Sequence, residues 1–122
     1  MLVLGFYKIS VESEIGNYDV GIITPEKLEE DQIIQFVKDN NKVNVGDIHN
    51  IYNIKELTRD EYNEEFGLSY LFRVTYISNE GETELLGYYT MERFYEYVAQ
   101  HKLDNDTDKY LTESEFDFEK VE

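Results

Sequence analysis

The stretch LSYLFRVTYISNEGETELLGYY, residues 68–89, decides the fold because it predicts two strands around a tight turn. Residues 68–78 and 82–89 are rich in β-branched and aromatic side chains, and Asn79-Glu80-Gly81 between them is typical of a hairpin turn. Thr90 follows directly as the predicted N-cap of a helix over about residues 91–102. The apolar face of that helix, which should pack on a sheet, comprises Met91, Phe94, Tyr95, Val98 and Ala99.

The N-terminal part of the chain predicts another hairpin, followed by a helix. Residues 2–11 and 18–23 have strand-forming composition, and residues 12–17 between them contain the Gly-Asn pair of a turn. Thr24 is the predicted N-cap of the next helix, with Pro25 at its first position. This helix should end near residue 40, because polar asparagines follow its apolar positions.

The middle of the chain is harder to assign. Residues 43–57 fit neither the two-residue period of a strand nor the 3.6-residue period of a helix well. Apolar and polar residues alternate at the start of the segment, and apolar residues then recur at every third position. We predict a strand over residues 48–57. Thr58 and Glu61 then form a capping box for a short helix, which Gly67 should end.

The resulting order, β-β-α-β-α-β-β-α, predicts an α+β fold with an antiparallel sheet of four to five strands and two to three helices on one face. The chain has 122 residues, a length typical of a single domain. Within it, residues 1–103 form the predicted α+β core domain. Residues 104–122 form an acidic C-terminal segment with one short helical turn.

The composition excludes several classes of function. The chain carries 27 Asp and Glu against 11 Lys and Arg, a formal charge of −16, so direct binding to nucleic acid or to anionic membranes is not expected. It has no cysteine, which rules out disulfides and thiolate chemistry. The apolar N-terminus MLVLGF lacks a basic region and is too short for a signal peptide or a membrane span, so we expect a cytoplasmic location.

The sequence gives no sign of catalysis. Its two histidines, His49 and His101, are far apart and match no nucleophile motif. No phosphate-binding loop or dinucleotide fingerprint occurs. Pairs of carboxylates could serve glycoside hydrolysis, but with 27 acids such pairs arise by chance. We therefore predict that the protein is not an enzyme.

Residues 104–115 resemble the calcium loop of an EF-hand. Carboxylates occupy loop positions 1, 3, 5 and 12, and the residue at position 7 would offer its carbonyl. Lys109 stands at position 6, where the sharp turn calls for glycine. Calcium is thus an alternative to the favoured expectation of no cofactor and a solvated acidic segment. Its candidate ligands are Asp104, Asp106, Asp108, Tyr110 and Glu115.

Acidic residues interleaved with tyrosines predict a surface that binds a basic protein. Carboxylates can occupy the phosphate positions of a groove that normally holds nucleic acid, and tyrosine is enriched in interface hot spots. The same helical aromatics could instead cover the core. The predicted partner-binding residues are Asp60, Glu61, Glu64, Glu65, Glu92, Tyr95, Glu96, Asp104, Asp106, Asp108, Tyr110, Glu113 and Glu115.

This character is similar to that of small phage-encoded nucleic-acid mimics, such as anti-restriction and anti-CRISPR proteins, although no motif aligns with them. The leading hypothesis is therefore a non-enzymatic inhibitor of a basic, nucleic-acid-processing protein, encoded by a phage or mobile element. Three alternatives stay open: an immunity protein against a toxin nuclease, a calcium-binding module, and a structural or regulatory domain without an acidic site. The sequence does not indicate an oligomeric state.

Overall fold

The computed structural model describes residues 3–14, 16–40 and 48–121. Ten elements follow one another along the chain: β1 (Gly5–Ser13), β2 (Gly16–Thr24), α1 (Glu30–Asp39), β3 (Ile48–Glu56), α2 (Arg59–Phe66), β4 (Leu71–Ile77), β5 (Thr83–Thr90), α3 (Met91–Asp104), a short 3-10 helix (Glu113–Glu115) and β6 (Phe116–Lys120). The predicted α+β class and the predicted order of elements up to α3 are confirmed.

The strands form two antiparallel sheets of three strands each, where one sheet was expected. The first has the order β2-β1-β3 and the second the order β5-β4-β6. Each sheet is centred on one strand of a hairpin, β1 in the first and β4 in the second, and the third strand pairs with the free side of that central strand. Each hairpin pairs with its own third strand, so the two hairpins belong to separate sheets.

Strand β6 was not predicted, and it lies within the segment expected to be an acidic tail. Its side chains alternate, with Phe116 buried and Asp117 exposed. The register pairs Phe118 with Val74 and Phe116 with Tyr76 of the central strand. The acids of this segment therefore occupy one face of a strand whose other face completes the core. The predicted short helical turn is the 3-10 helix that precedes β6.

Helix α1 begins later than predicted. Thr24 is buried at the end of β2, and its hydroxyl donates to the carbonyl of Glu26 at 2.5 Å instead of capping a helix. The N-cap is Glu29, whose N–H donates to the side-chain carbonyl of Gln32 at 2.9 Å. The Thr-Pro pair thus ends a strand, and the reciprocal cap five residues later starts the helix.

The other predicted helix boundaries are close to those observed. Thr58 caps α2, accepting from the N–H of Glu61 at 3.2 Å while the Glu61 carboxylate accepts from the N–H of Thr58 at 2.9 Å. Gly67 ends the helix with φ 83°, a conformation that favours glycine. Thr90 caps α3 by accepting from the N–H of Arg93 at 3.2 Å. The predicted strand over 48–57 is β3, whereas residues 43–47 lie outside the described residues.

Two apolar clusters hold these elements together. One lies between α1 and the first sheet, with Ile9, Val11 and Val37 at its centre. The other joins both sheets to α2 and α3, and it includes Phe94 and Phe116, which are fully buried. This second cluster therefore packs α2 and α3 against both sheets. None of the helices described is long and apolar enough to cross a membrane.

Candidate functional site

A two-pronged ion pair joins the first turns of α2 and α3. Arg59 Nε donates to Glu92 Oε2 at 2.6 Å, and Arg59 Nη2 donates to Glu92 Oε1 at 2.9 Å. This fork geometry fixes orientation as well as distance. The hydrogen bonds that Arg59 donates to Glu92 raise the pKa of Arg59 above its usual value. The N-terminal ends of the two helices therefore lie side by side.

Exposed carboxylates surround this ion pair. Asp60 and Glu96 are exposed, and their charges also raise the pKa of Arg59, which places both near its guanidinium. Glu64 is exposed one helical turn after Asp60. We call Asp60, Glu64, Glu92 and Glu96 the α2–α3 acidic surface. The structure thus brings together predicted residues from two helices that are separated by a hairpin in the chain.

The two other predicted acids of α2 face the first sheet. Glu65 Oε1 accepts a hydrogen bond from Lys8 Nζ of β1 at 2.5 Å. Glu61 is engaged in the cap of α2, and the hydrogen bond from Thr58 lowers the pKa of its carboxyl, with a smaller contribution from the charge of Lys55. Both carboxylates therefore already bind groups of the protein itself, Glu65 in an ion pair and Glu61 in a helix cap.

The acids at the end of α3 form a separate group. Asp104, Asp106 and Asp108 are exposed, but twelve residues separate Asp104 from Glu92 along the helix. At a rise of about 1.5 Å per residue, that distance is ~18 Å. The acids of α3 and of the segment that follows it therefore lie in two groups at opposite ends of the helix.

Two predicted contact residues, Tyr95 and Glu113, lie in the interior. Tyr95 is 3% exposed and Glu113 is 2% exposed. The Tyr95 hydroxyl donates to Glu113 Oε2 at 2.5 Å, and the Glu113 N–H donates to Asn40 Oδ1 at 2.7 Å. Burial raises the pKa of Tyr95 well above its usual value, and the charge of Glu113 raises it further. Neither residue belongs to an exposed surface, because the apolar face of α3 turns Tyr95 inward.

The remaining predicted residues, Tyr110 and Glu115, take part in local structure. The Tyr110 hydroxyl donates to the carboxylate of Glu26, and the Lys102 ammonium lies 4.2 Å from the centroid of the Tyr110 ring. Burial, followed by the hydrogen bond to Glu26, raises the pKa of Tyr110. Glu115 Oε2 accepts from the N–H of Thr112 at 2.8 Å.

The segment 104–115 differs from an EF-hand loop in its backbone. The left-handed residue is Asp106, with φ 47°, at loop position 3 instead of position 6. A strand, not a helix, follows Glu115. Within residues 3–14, 16–40 and 48–121, no group of three or more His, Asp or Glu side chains is placed to hold a metal ion. The structure therefore does not bring the five predicted calcium ligands together.

A cavity of about 200 Å³ lies between the two sheets, and no motif in the sequence predicts it. Its wall draws on α1, α2, α3, β2, β4 and the 3-10 helix. These residues are spread over the chain, and most of them are individually typical of a core position. The only available signal was the high aromatic content, 15% of the residues.

Comparisons with known proteins give no relative: no family model, no curated protein and no solved structure matches the chain. The similarity in composition to nucleic-acid mimics therefore assigns no family.

Proposed function

We propose that this protein is a non-enzymatic inhibitor that binds a basic, nucleic-acid-processing protein in the cytoplasm through its α2–α3 acidic surface. The observation that carries the proposal is the Arg59–Glu92 ion pair, which holds two acidic helix ends side by side. Its biological setting would be a phage or mobile element acting against a host defence nuclease.

The fixed position of these carboxylates supports the proposal. Side chains on two helices anchored by a shared core lose less freedom on binding than side chains on a loop. Asp60, Glu64 and Glu96 are exposed, so a partner's Arg and Lys side chains can reach them. Arginine recognises carboxylate and phosphate with the same forked geometry, which lets carboxylates replace phosphates in a basic groove.

The overall charge supports the same partner. A formal charge of −16 attracts a basic protein over long distances and accelerates encounter, an effect that weakens as salt increases. An immunity protein against a toxin nuclease would use the same physics. The two settings differ in the protein captured, which is a host enzyme in one case and a toxin in the other.

The test is a pull-down from bacterial lysate at low salt with three matched proteins. One is the wild type, and one carries Asp60→Asn, Glu64→Gln and Glu96→Gln. The control carries Glu80→Gln, Glu82→Gln and Glu84→Gln, which removes the same charge from exposed positions around the β4–β5 turn. All three leave the Arg59–Glu92 pair intact.

We expect the wild type and the control to retain a basic nucleic-acid-binding protein that excess duplex DNA displaces. The α2–α3 variant should retain about tenfold less, because the carboxylates that contact the partner are gone. An equal loss of retention in both variants would assign the binding to net charge alone, and equal retention by all three proteins would show that the α2–α3 acidic surface is not the contact. Retention of no basic nucleic-acid-binding protein would overturn the proposal.

A further inference from the structure

Six of the fourteen residues that line the cavity between the sheets are aromatic. The residues concerned are Phe36, Tyr62, Phe66, Tyr70, Phe72 and Tyr95. Tyr70 is 52% exposed and lies at the mouth, whereas Glu113, 2% exposed, lies at the closed end. The cavity thus runs from an exposed ring to a buried carboxylate.

The size of the cavity suits a small organic molecule. An apolar protein cavity of about 150 Å³ is large enough to bind benzene. The present cavity has a volume of about 200 Å³ and is lined by aromatic and aliphatic side chains over most of its wall. A ligand with an apolar body therefore fits in both volume and surface chemistry.

The polar groups of the cavity favour a positive charge on that ligand. Aromatic ring faces are electronegative and attract cations within about 6 Å of the ring centroid. At the closed end, the Tyr95 hydroxyl directs its proton to Glu113, so Tyr95 presents an oxygen lone pair and Glu113 a carboxylate. No Lys, Arg or His occurs among the described residues that line the cavity.

The charge of the whole molecule agrees with this preference. At the rim, the Lys120 ammonium lies 4.4 Å from the centroid of the Tyr70 ring, which shows that this ring can hold a cation. The formal charge of −16 raises the local concentration of cations around the molecule and lowers that of anions. An anionic ligand would meet both the ring faces and the carboxylate unfavourably.

We propose that this cavity is a binding site for a small organic cation, a free alkylammonium compound of roughly the size of choline. The alkyl groups would pack against Phe36, Phe66 and Phe72, and the ammonium would lie over the tyrosine rings with its charge towards Glu113. This site is separate from the α2–α3 acidic surface, and its occupancy does not depend on a protein partner.

The test is a titration of the full chain with choline, followed by calorimetry and by NMR shifts of the cavity residues. The matched control ligand is dimethylbutanol, in which a carbon replaces the ammonium nitrogen of choline. We expect choline to saturate the cavity with a Kd of ~1 mM or lower, and dimethylbutanol to bind about tenfold more weakly because it lacks the charge. An unmethylated diamine and a lysine-containing peptide distinguish a free methylated ammonium ligand from a protein side chain.

Variants locate the binding within the cavity. Tyr70→Ala should weaken choline binding about fivefold, whereas Tyr70→Phe, which keeps the ring, should bind like the wild type. Glu113→Gln should weaken choline but not dimethylbutanol; circular dichroism shows whether this buried variant is folded. Tyr70 is exposed, so its variants keep the test decisive even if Glu113→Gln unfolds.

Several outcomes would overturn the proposal. Equal affinity for choline and dimethylbutanol would show an apolar site without charge preference. Saturation by the lysine peptide but not by choline would assign the cavity to a protein side chain. NMR shift changes confined to residues outside the cavity would show that the cavity is not a cation site. Failure of choline to saturate the protein in the millimolar range would show the same.

Discussion

The Tyr95 hydroxyl donates a 2.5 Å hydrogen bond to the carboxylate of Glu113, eighteen residues further along the chain and equally buried. This contact links α3 to the 3-10 helix that leads into β6. It is a hydrogen bond between an uncharged donor and an acidic group inside the core. Such bonds contribute more to stability than those between two neutral groups.

Tyr95→Phe should destabilise the protein by about 2 kcal/mol. The substitution keeps the ring packing and removes only the hydroxyl, which leaves the buried Glu113 carboxylate with one donor fewer. The free energy of unfolding in urea, measured at neutral pH, gives the value. Tyr97→Phe is the control on the same helix and should change it by less than ~0.5 kcal/mol. An equal loss in both variants would mean that the Tyr95–Glu113 contact is not specifically stabilising.

Stability should fall at alkaline pH because Tyr62 resists ionisation in the folded state. Burial, with a smaller effect of the Glu113 charge, raises the pKa of Tyr62 from 10.0 to about 12. Below pH ~10 the Tyr62 hydroxyl keeps its proton in both the folded and the unfolded state, and its contribution to stability is complete. As pH rises from 10 to 12, the hydroxyl ionises only in the unfolded state, so the free energy of unfolding decreases. A shift of about two units corresponds to ~3 kcal/mol over this interval.

Urea unfolding between pH 8 and pH 12 checks this prediction with Tyr62→Phe, which should have a shallower alkaline decline than the wild type. Tyr52→Phe removes a hydroxyl from a side chain that is 57% exposed and should keep the wild-type slope. Identical slopes in all three proteins would contradict the assignment of the decline to Tyr62.

Phe116→Ala should be the most destabilising of these substitutions. Phe116 is fully buried, and its ring centroid lies 5.1 Å from that of Phe94. Truncating such a ring leaves a void and costs about 3–5 kcal/mol. Asp117→Ala, on the exposed face of the same strand, should cost less than ~0.5 kcal/mol. If thermal unfolding showed similar losses for both, β6 would not be packed as described.

Asp106→Gly should stabilise the protein. Asp106 follows the C-cap of α3 and has φ 47°, a conformation that glycine adopts without strain. Relief of this strain and removal of a negative charge from the C-terminal end of a helix should together add about 0.5–1 kcal/mol. Asp108→Gly removes the same charge but does not replace a residue in the left-handed conformation. The melting temperature of this variant should not increase. A decrease for Asp106→Gly would contradict the described turn.

Local signals in the sequence explain what could be predicted of the fold. The capping box of Thr58 and Glu61 and the N-cap Thr90 act over three residues, and both helices begin where these signals predicted. The Thr24-Pro25 pair predicted the start of α1 too early. The Thr24 hydroxyl donates to the nearby carbonyl of Glu26, and Glu29 serves as the N-cap instead. Strand β6 did have a signal, the alternation of Phe116 and Phe118 with acids, but the density of charge around it obscured the pattern.

The candidate site could be predicted only in part, because its arrangement depends on contacts between distant residues. Residue type identified Asp60, Glu64 and Glu96 as surface acids, but not the ion pair that brings them together across 33 residues. From the sequence, Tyr95 could belong either to the apolar face of α3 or to the acidic surface. Packing against residues of both sheets places its side chain in the interior. The cavity has no local signature, since its wall comes from six elements.

The pairing of β6 with β4 has a consequence during synthesis. Phe116 follows Leu71, the first residue of the central strand, by 45 positions. At about 5–20 residues per second, the ribosome needs roughly 2–9 s to add them. All three strands of the first sheet have been synthesised by residue 56. The second sheet lacks β6 until the ribosome reaches residue 116, and one edge of β4 stays unpaired until then. The nascent chain thus exposes a bare strand edge for seconds, and a chaperone would have its target there.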